Sequence, residues 1–247
     1  MAGPDHFSRV GHGGQTSRGT FAPRFRPRRS GLIDATIHSK ASPIPNFLTH
    51  LLLSHESDGA ILGAVLADFM KGPKALEAYP PAVRRAVRLH RAIDRFTDSH
   101  PLVRHSVGRL GPRWGLYASV LIDVLYDHLL ARDWEAWWPE PLTTFTGRCY
   151  AVLGRPWDLM PEGMRYFTQR MVEKDVLASY ATRAGTGVAL DRLSGYIKHR
   201  MGREVQLAAA VEDFYGEIQA YTAEFNAFWP ELAGYAREEK GRLAAEP

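Results

Sequence analysis

The chain has one cysteine in 247 residues, so Cys149 cannot form an intramolecular disulfide, and thiol chemistry is not indicated. No apolar run approaches the roughly 18–20 residues of a membrane span, and the amino terminus lacks the apolar stretch of a secretory signal. A soluble, cytoplasmic protein with no membrane partner is expected. A Gly-rich phosphate loop and a G-x-S-x-G elbow are also missing, which argues against a P-loop nucleotide enzyme and an α/β-hydrolase. There is no internal repeat and little strand-type alternation. The net charge of +4 is misleading. Seven of the 31 basic residues but only two of the 27 acidic ones fall in residues 1–44, so the remainder is near neutral and nucleic-acid binding is not indicated.

Residues 1–44 are rich in Gly, Arg, Ser and Pro and have no sustained apolar period, which predicts a disordered basic extension. An Arg-rich, acid-poor start is also compatible with a transit peptide, although no amphipathic helix is evident in it. A single helical domain is expected over 45–247. With Gly and Pro as punctuation, the helical pattern places helices near 46–54, 59–70, 80–97, 101–109, 114–132, 140–152, 162–180, 187–200 and 204–228. In the last of these Val211, Phe214, Ile218, Tyr221, Phe225 and Phe228 recur at spacings of three and four, and Trp229-Pro230 is expected to end it. The predicted fold class is all-α, a helical bundle with polar sites between helices.

Within this apolar framework three segments, 46–50, 90–98 and 121–128, place His and Asp at helical spacing. Positions four apart share a face, so His90 and Asp94 point one way, as do Asp123 and Asp127. Asp123 sits between Val120, Leu121, Ile122, Val124 and Leu125, where an unpaired carboxylate costs several kcal/mol of desolvation and calls for a positive partner. Asp68 falls near a helix end marked by Gly72-Pro73, where the dipole disfavours a carboxylate, so it reads either as a ligand or as part of a capping turn. Asp94 and Asp98 have an ordinary alternative as partners of Arg84, Arg85, Arg88, Arg91 and Arg95, and Asp98 a second one as the start of the next helix. His50 alternates between ligand and satisfied core histidine. Nitrogen and carboxylate donors without thiolate point away from structural zinc toward Mn²⁺, Fe²⁺ or Mg²⁺, with catalytic zinc still open. Such an ion polarises phosphoryl oxygens and acidifies water, which makes phosphoester hydrolysis the natural chemistry.

The runs Asn46-Phe47-Leu48-Thr49-His50, Gly63-Ala64-Val65-Leu66-Ala67-Asp68-Phe69, Leu89-His90-Arg91-Ala92-Ile93-Asp94 and Ile122-Asp123-Val124-Leu125-Tyr126-Asp127-His128 closely resemble the acyl carrier protein phosphodiesterase family. The likeness runs in order from about 46 to 230. It implies an HD-phosphohydrolase-like helical fold, a divalent metal that is typically manganese, and holo-acyl carrier protein as substrate, cleaved to apo-protein and 4′-phosphopantetheine. The chain has no adjacent His-Asp dyad, and over residues 45–247 only the reversed Asp127-His128, so HD-domain ligand assignments do not transfer directly.

The resulting expectation is that His50, Asp68, His90, Asp94 and Asp123 hold the metal. Asp127 and His128 orient or protonate, and Arg91 or Arg95 clamps phosphoryl oxygens. Arg84, Arg85 and Arg88, with Lys71 and Lys74, offer a docking face for an acidic carrier, or else a solvated helix face. Two rivals are a related metal phosphohydrolase acting on a nucleotide or other small phosphoester, and a non-catalytic carrier-binding module.

Overall fold

A computed structural model describes residues 46–246 except 71 and 73. The basic extension expected over 1–44 lies outside the described residues. These contain helices and 3₁₀ turns and no strand, so the fold is all-α.

Two helices that are buried on nearly every side form the centre. The first, α1 (Phe47–Leu52), buries all six of its residues. The second is α5 (Ala118–Arg132), in which twelve residues from Ala118 to Ala131 are buried. A helix hydrophobic all round has no solvent face to keep and is stable only inside other helices. Around them pack α2 (Asp58–Leu66), α3 (Pro81–Ser99) and α4 (Pro101–Trp114). α2 and α3 have the most extensive contact of any pair. Their approach is so close at Gly63 that a Cβ there would lie 2.6 Å from the Val83 carbonyl oxygen. α3 is amphipathic: Val83, Ala86, Val87, Leu89, His90, Ala92 and Ile93 are buried, and arginines fill the other faces. Proline at the first turn of α3 and of α4 sets both helix starts.

The second half contributes α6 (Leu142–Leu153), α7 (Glu162–Glu173), the single turn α8 (Val176–Ser179), α9 (Arg183–Met201), α10 (Ala210–Gly216) and the long α11 (Ile218–Ala245). Several boundaries differ from the sequence expectation. Helices expected to stop at Arg109 and at Phe228 continue through Pro112 and Pro230 to Trp114 and Ala245. In both cases the carbonyl that loses its helical partner belongs to an exposed residue, Gly108 or Asn226, where water can replace the missing N–H. Conversely, the helix expected over 162–180 breaks at Asp175, which has a left-handed backbone (φ 44°), and that expected over 204–228 breaks at Glu217. No helix among the described residues is long and apolar enough to cross a membrane.

Candidate metal centre

The α1 helix is too short to satisfy its own first N–H groups, and Asn46 at its N-cap makes no side-chain capping bond. The missing acceptor comes from α5. Asp127 receives hydrogen bonds from the Leu48 N–H (2.9 Å), the Thr49 N–H (2.9 Å) and the Thr49 hydroxyl (2.7 Å). This fixes α1, and therefore His50 one residue further on, against the helix that carries Asp123.

His50 then stacks on His90 of α3, with ring centroids 3.6 Å apart and planes 9° from parallel. The Nδ1–H of His90 donates to the Ala64 carbonyl of α2 (2.7 Å), which leaves the lone pair of the neutral ring on Nε2. That Nε2 lies 3.4 Å from Asp94 and 3.5 Å from Asp68, while His50 Nε2 lies 3.1 Å from the other Asp94 oxygen. None of these approaches meets hydrogen-bond geometry at His50. Both of its ring nitrogens are buried without a hydrogen-bond partner among the described residues, as is the second oxygen of Asp68. Donors bound to one ion at about 2.1 Å stand at most about 4.2 Å apart, so all of these separations fit a shared cation. His50, His90 and Asp94 each offer an atom within 4.8 Å of the others.

The cleft beside this cluster, of about 70 Å³, is lined by Asn46, Asp68, His90, Asp94, Thr97, Asp98 and Asp123. Its polarity contrasts with the two apolar central helices beneath it. Burial, followed by the charge of His90, holds His50 below its ordinary pKa, so this ring stays neutral. Burial acts to lower His90 as well, but Asp94 and Asp68 outweigh it and hold His90 at about 9. A proton on His90 is thus the stand-in for positive charge that the two carboxylates demand. A divalent cation would meet the same demand from both histidines at once.

The structure gathers four of the five expected ligands, Asp68, His90, Asp94 and Asp123, around the cleft, with His50 against its floor. It does not bring the three expected catalytic residues there. Asp127 lies one turn along α5 from Asp123, wholly buried under the amino end of α1 that it caps. His128 lies about 140° around α5 from Asp123. Its Nδ1–H donates to the Tyr180 carbonyl (2.7 Å), and its Nε2 accepts from the Tyr215 hydroxyl (3.0 Å). A ring held at both nitrogens, and lowered in pKa mainly by burial, has no proton to deliver to the cleft. Arg91, one residue and about 100° from His90, lines a separate cleft with Arg88, Arg95, Glu239 and Arg242. Of the expected docking cations, Arg85 and Arg88 are exposed and Arg84 half-buried, and Arg88 pairs with Glu246 at 2.9 Å. Lys71 and the Lys74 side chain lie outside the described residues. Sequence reasoning missed Asn46 and Thr97. Thr97 was findable, since it continues the His90, Asp94 stripe at the next turn.

An all-helical protein with His and Asp donors gathered at a small polar cleft has the make-up of a metallohydrolase. A family model described as acyl carrier protein phosphodiesterase matches residues 45–232, and the chain belongs to that family. A protein of that name from Yersinia enterocolitica is 29% identical over 196 residues, covering 79% of this chain and 99% of the relative. Those from Salmonella agona and Salmonella newport are 40% and 39% identical over 107 residues, covering 43% of this chain and 55% of each relative. The chain thus spans about half the length of these Salmonella relatives. No solved structure matches the chain significantly.

Proposed function

We propose that the protein is a divalent-metal phosphodiesterase that removes 4′-phosphopantetheine from holo-acyl carrier protein in the cytoplasm. The observation that carries this reading is the convergence of His50, His90 and Asp94 on one point, with Asp68 adjacent and both ring nitrogens of His50 lacking hydrogen bonds among the described residues. In it His50, His90 and Asp94 hold the ion, and Asp68 and Asp123 complete its surroundings. Manganese fits a donor set of imidazole and carboxylate without thiolate, Cys149 being buried in the core. Bound there, the ion would polarise a phosphoryl oxygen and lower the pKa of a water molecule.

The protein's own groups do the rest. Asn46 and Thr97 can donate hydrogen bonds to non-bridging phosphoryl oxygens, a role expected of Arg91 from the sequence. Water adds to phosphorus, the bond to the carrier's serine oxygen breaks, and that oxygen takes up a proton. With His128 sealed away, the proton given up by the attacking water is passed to the leaving oxygen from the cleft side, where the exposed carboxylate of Asp98 next to Thr97 can relay it. The products are apo-carrier and 4′-phosphopantetheine.

The test is incubation of purified protein with holo-carrier and Mn²⁺, reading carrier mass. Loss of the prosthetic group is expected, to be abolished by chelation and by Asp94→Asn with helicity retained. Unchanged turnover in Asp94→Asn, or turnover insensitive to chelation, would refute this mechanism.

A further inference from the structure

A second cavity of about 460 Å³ opens beside the metal-type cleft, between α7, α8 and α9. Its size falls in the range of about 300–1,000 Å³ typical of small-molecule sites. Phe47, Phe167, Met171, Val176 and Leu193 make it predominantly apolar, and among the described residues its charged lining consists of the cations Arg170, Lys174 and Arg192. It adjoins the cleft through chain neighbours. Asn46 lines the cleft and Phe47 the cavity, and the Phe47 ring packs 5.0 Å from Phe167. On the other side Asp68 lines the cleft, and its neighbour Phe69 lies 5.5 Å from the same Phe167 ring. A shared aromatic wall therefore joins an ionic site to an apolar one.

A phosphodiester held in the cleft with a long flexible arm can cross this wall. The arm of phosphopantetheine carries amide carbonyls, which are acceptors, and Arg and Lys side chains are donors only. Beyond the arm only an apolar group suits the remaining walls. We propose that this cavity receives the acyl chain at the end of the prosthetic group of an acylated carrier protein, so that the enzyme distinguishes carriers by chain length. This rests on the function proposed above and adds a specificity site to it.

Full burial of each methylene corresponds to about a fourfold gain in affinity, until the cavity is filled. The first measurement is calorimetric binding of S-butanoyl, S-octanoyl and S-dodecanoyl pantetheine to the full chain, with free dodecanoate as comparison. Affinity should climb with chain length for the thioesters and remain at least tenfold weaker for dodecanoate. The second compares kcat/KM for holo-carrier and dodecanoyl-carrier in Ala189→Trp, which fills the cavity from a buried lining position. The dodecanoyl substrate should lose at least tenfold, with holo-carrier within twofold of wild type. Flat chain-length dependence in the wild type, equal losses for both carriers, or dodecanoate binding as tightly as the thioester would overturn the proposal. If Ala189→Trp does not fold, the wild-type binding series decides alone. If holo-carrier is not cleaved at all, the proposed reaction fails, while thioester binding still reports on the cavity.

Discussion

Asp127 is where a single substitution should most clearly separate architecture from chemistry. Its carboxylate accepts from two backbone N–H groups and one hydroxyl, all buried, at the amino end of α1. Asp127→Ala leaves the Leu48 and Thr49 N–H groups without acceptors, each costing about 1–3 kcal/mol, whereas the Thr49 hydroxyl can turn to a carbonyl of the preceding turn. Relaxation around the shortened side chain offsets part of this, so the expected loss is about 3–5 kcal/mol. Asp127→Asn keeps one acceptor oxygen for Thr49 but turns an NH₂ toward the Leu48 N–H, so its loss should be about 1–3 kcal/mol. Equilibrium denaturation followed by far-UV circular dichroism gives both values. Since His50 follows Thr49 directly, both variants should also bind Mn²⁺ more weakly while every expected ligand is retained. Stability of Asp127→Ala within about 0.5 kcal/mol of wild type would refute the capping role. Normal stability with turnover lost would instead restore Asp127 to the chemistry.

The pH dependence of stability provides an independent check on the same group. Burial pushes the Asp127 carboxyl up to about 7, against the opposing hydrogen bonds from Thr49 and Leu48. The unfolded chain titrates it near 4, so the folded state holds the proton more tightly. Its stabilising contribution is therefore full below about pH 4 and is lost as pH rises through about 7. Wild type should be more stable than Asp127→Asn by a larger margin at pH 5 than at pH 8, and an equal margin at both would contradict this. Gly63→Ala gains about 1 kcal/mol of helix propensity but drives a methyl to 2.6 Å from the Val83 carbonyl oxygen and 2.7 Å from the Ala86 Cβ. Net destabilisation of about 1–2 kcal/mol is expected, and a raised melting temperature would show that α2 and α3 are not in such close contact. Reversing Arg84, Arg85 and Arg88 to Glu should raise KM for an acidic carrier several-fold at low salt, with less effect at high salt and little on kcat. Unchanged kinetics at low ionic strength would place the docking face elsewhere.

The sequence by itself determined what local geometry controls. The helical class follows from spacing, and the pairing of His90 with Asp94 follows from one turn of helix, because residues four apart share a face wherever that helix lies. Asp123 stood out because a carboxylate among apolar residues demands compensation, and Asp68 because the dipole at a helix end disfavours one; both line the cleft. Sequence pattern could not say which side of α5 meets which neighbour. Twelve of the fourteen positions from 118 to 131 are buried, Asp127 and His128 among them, so no solvent-facing stripe orients the helix. Asp123, Asp127 and His128 therefore looked like one functional group, yet only the packing sends Asp123 to the cleft, Asp127 to the end of α1 and His128 to Tyr180 and Tyr215. The helix ends expected at Arg109 and Phe228 were likewise misjudged, because a proline is tolerated inside a helix where the carbonyl it abandons faces water. The stacking of His50 on His90 lay equally beyond the sequence, since forty residues separate them and a contact at that range is set by how α1, α2 and α3 pack.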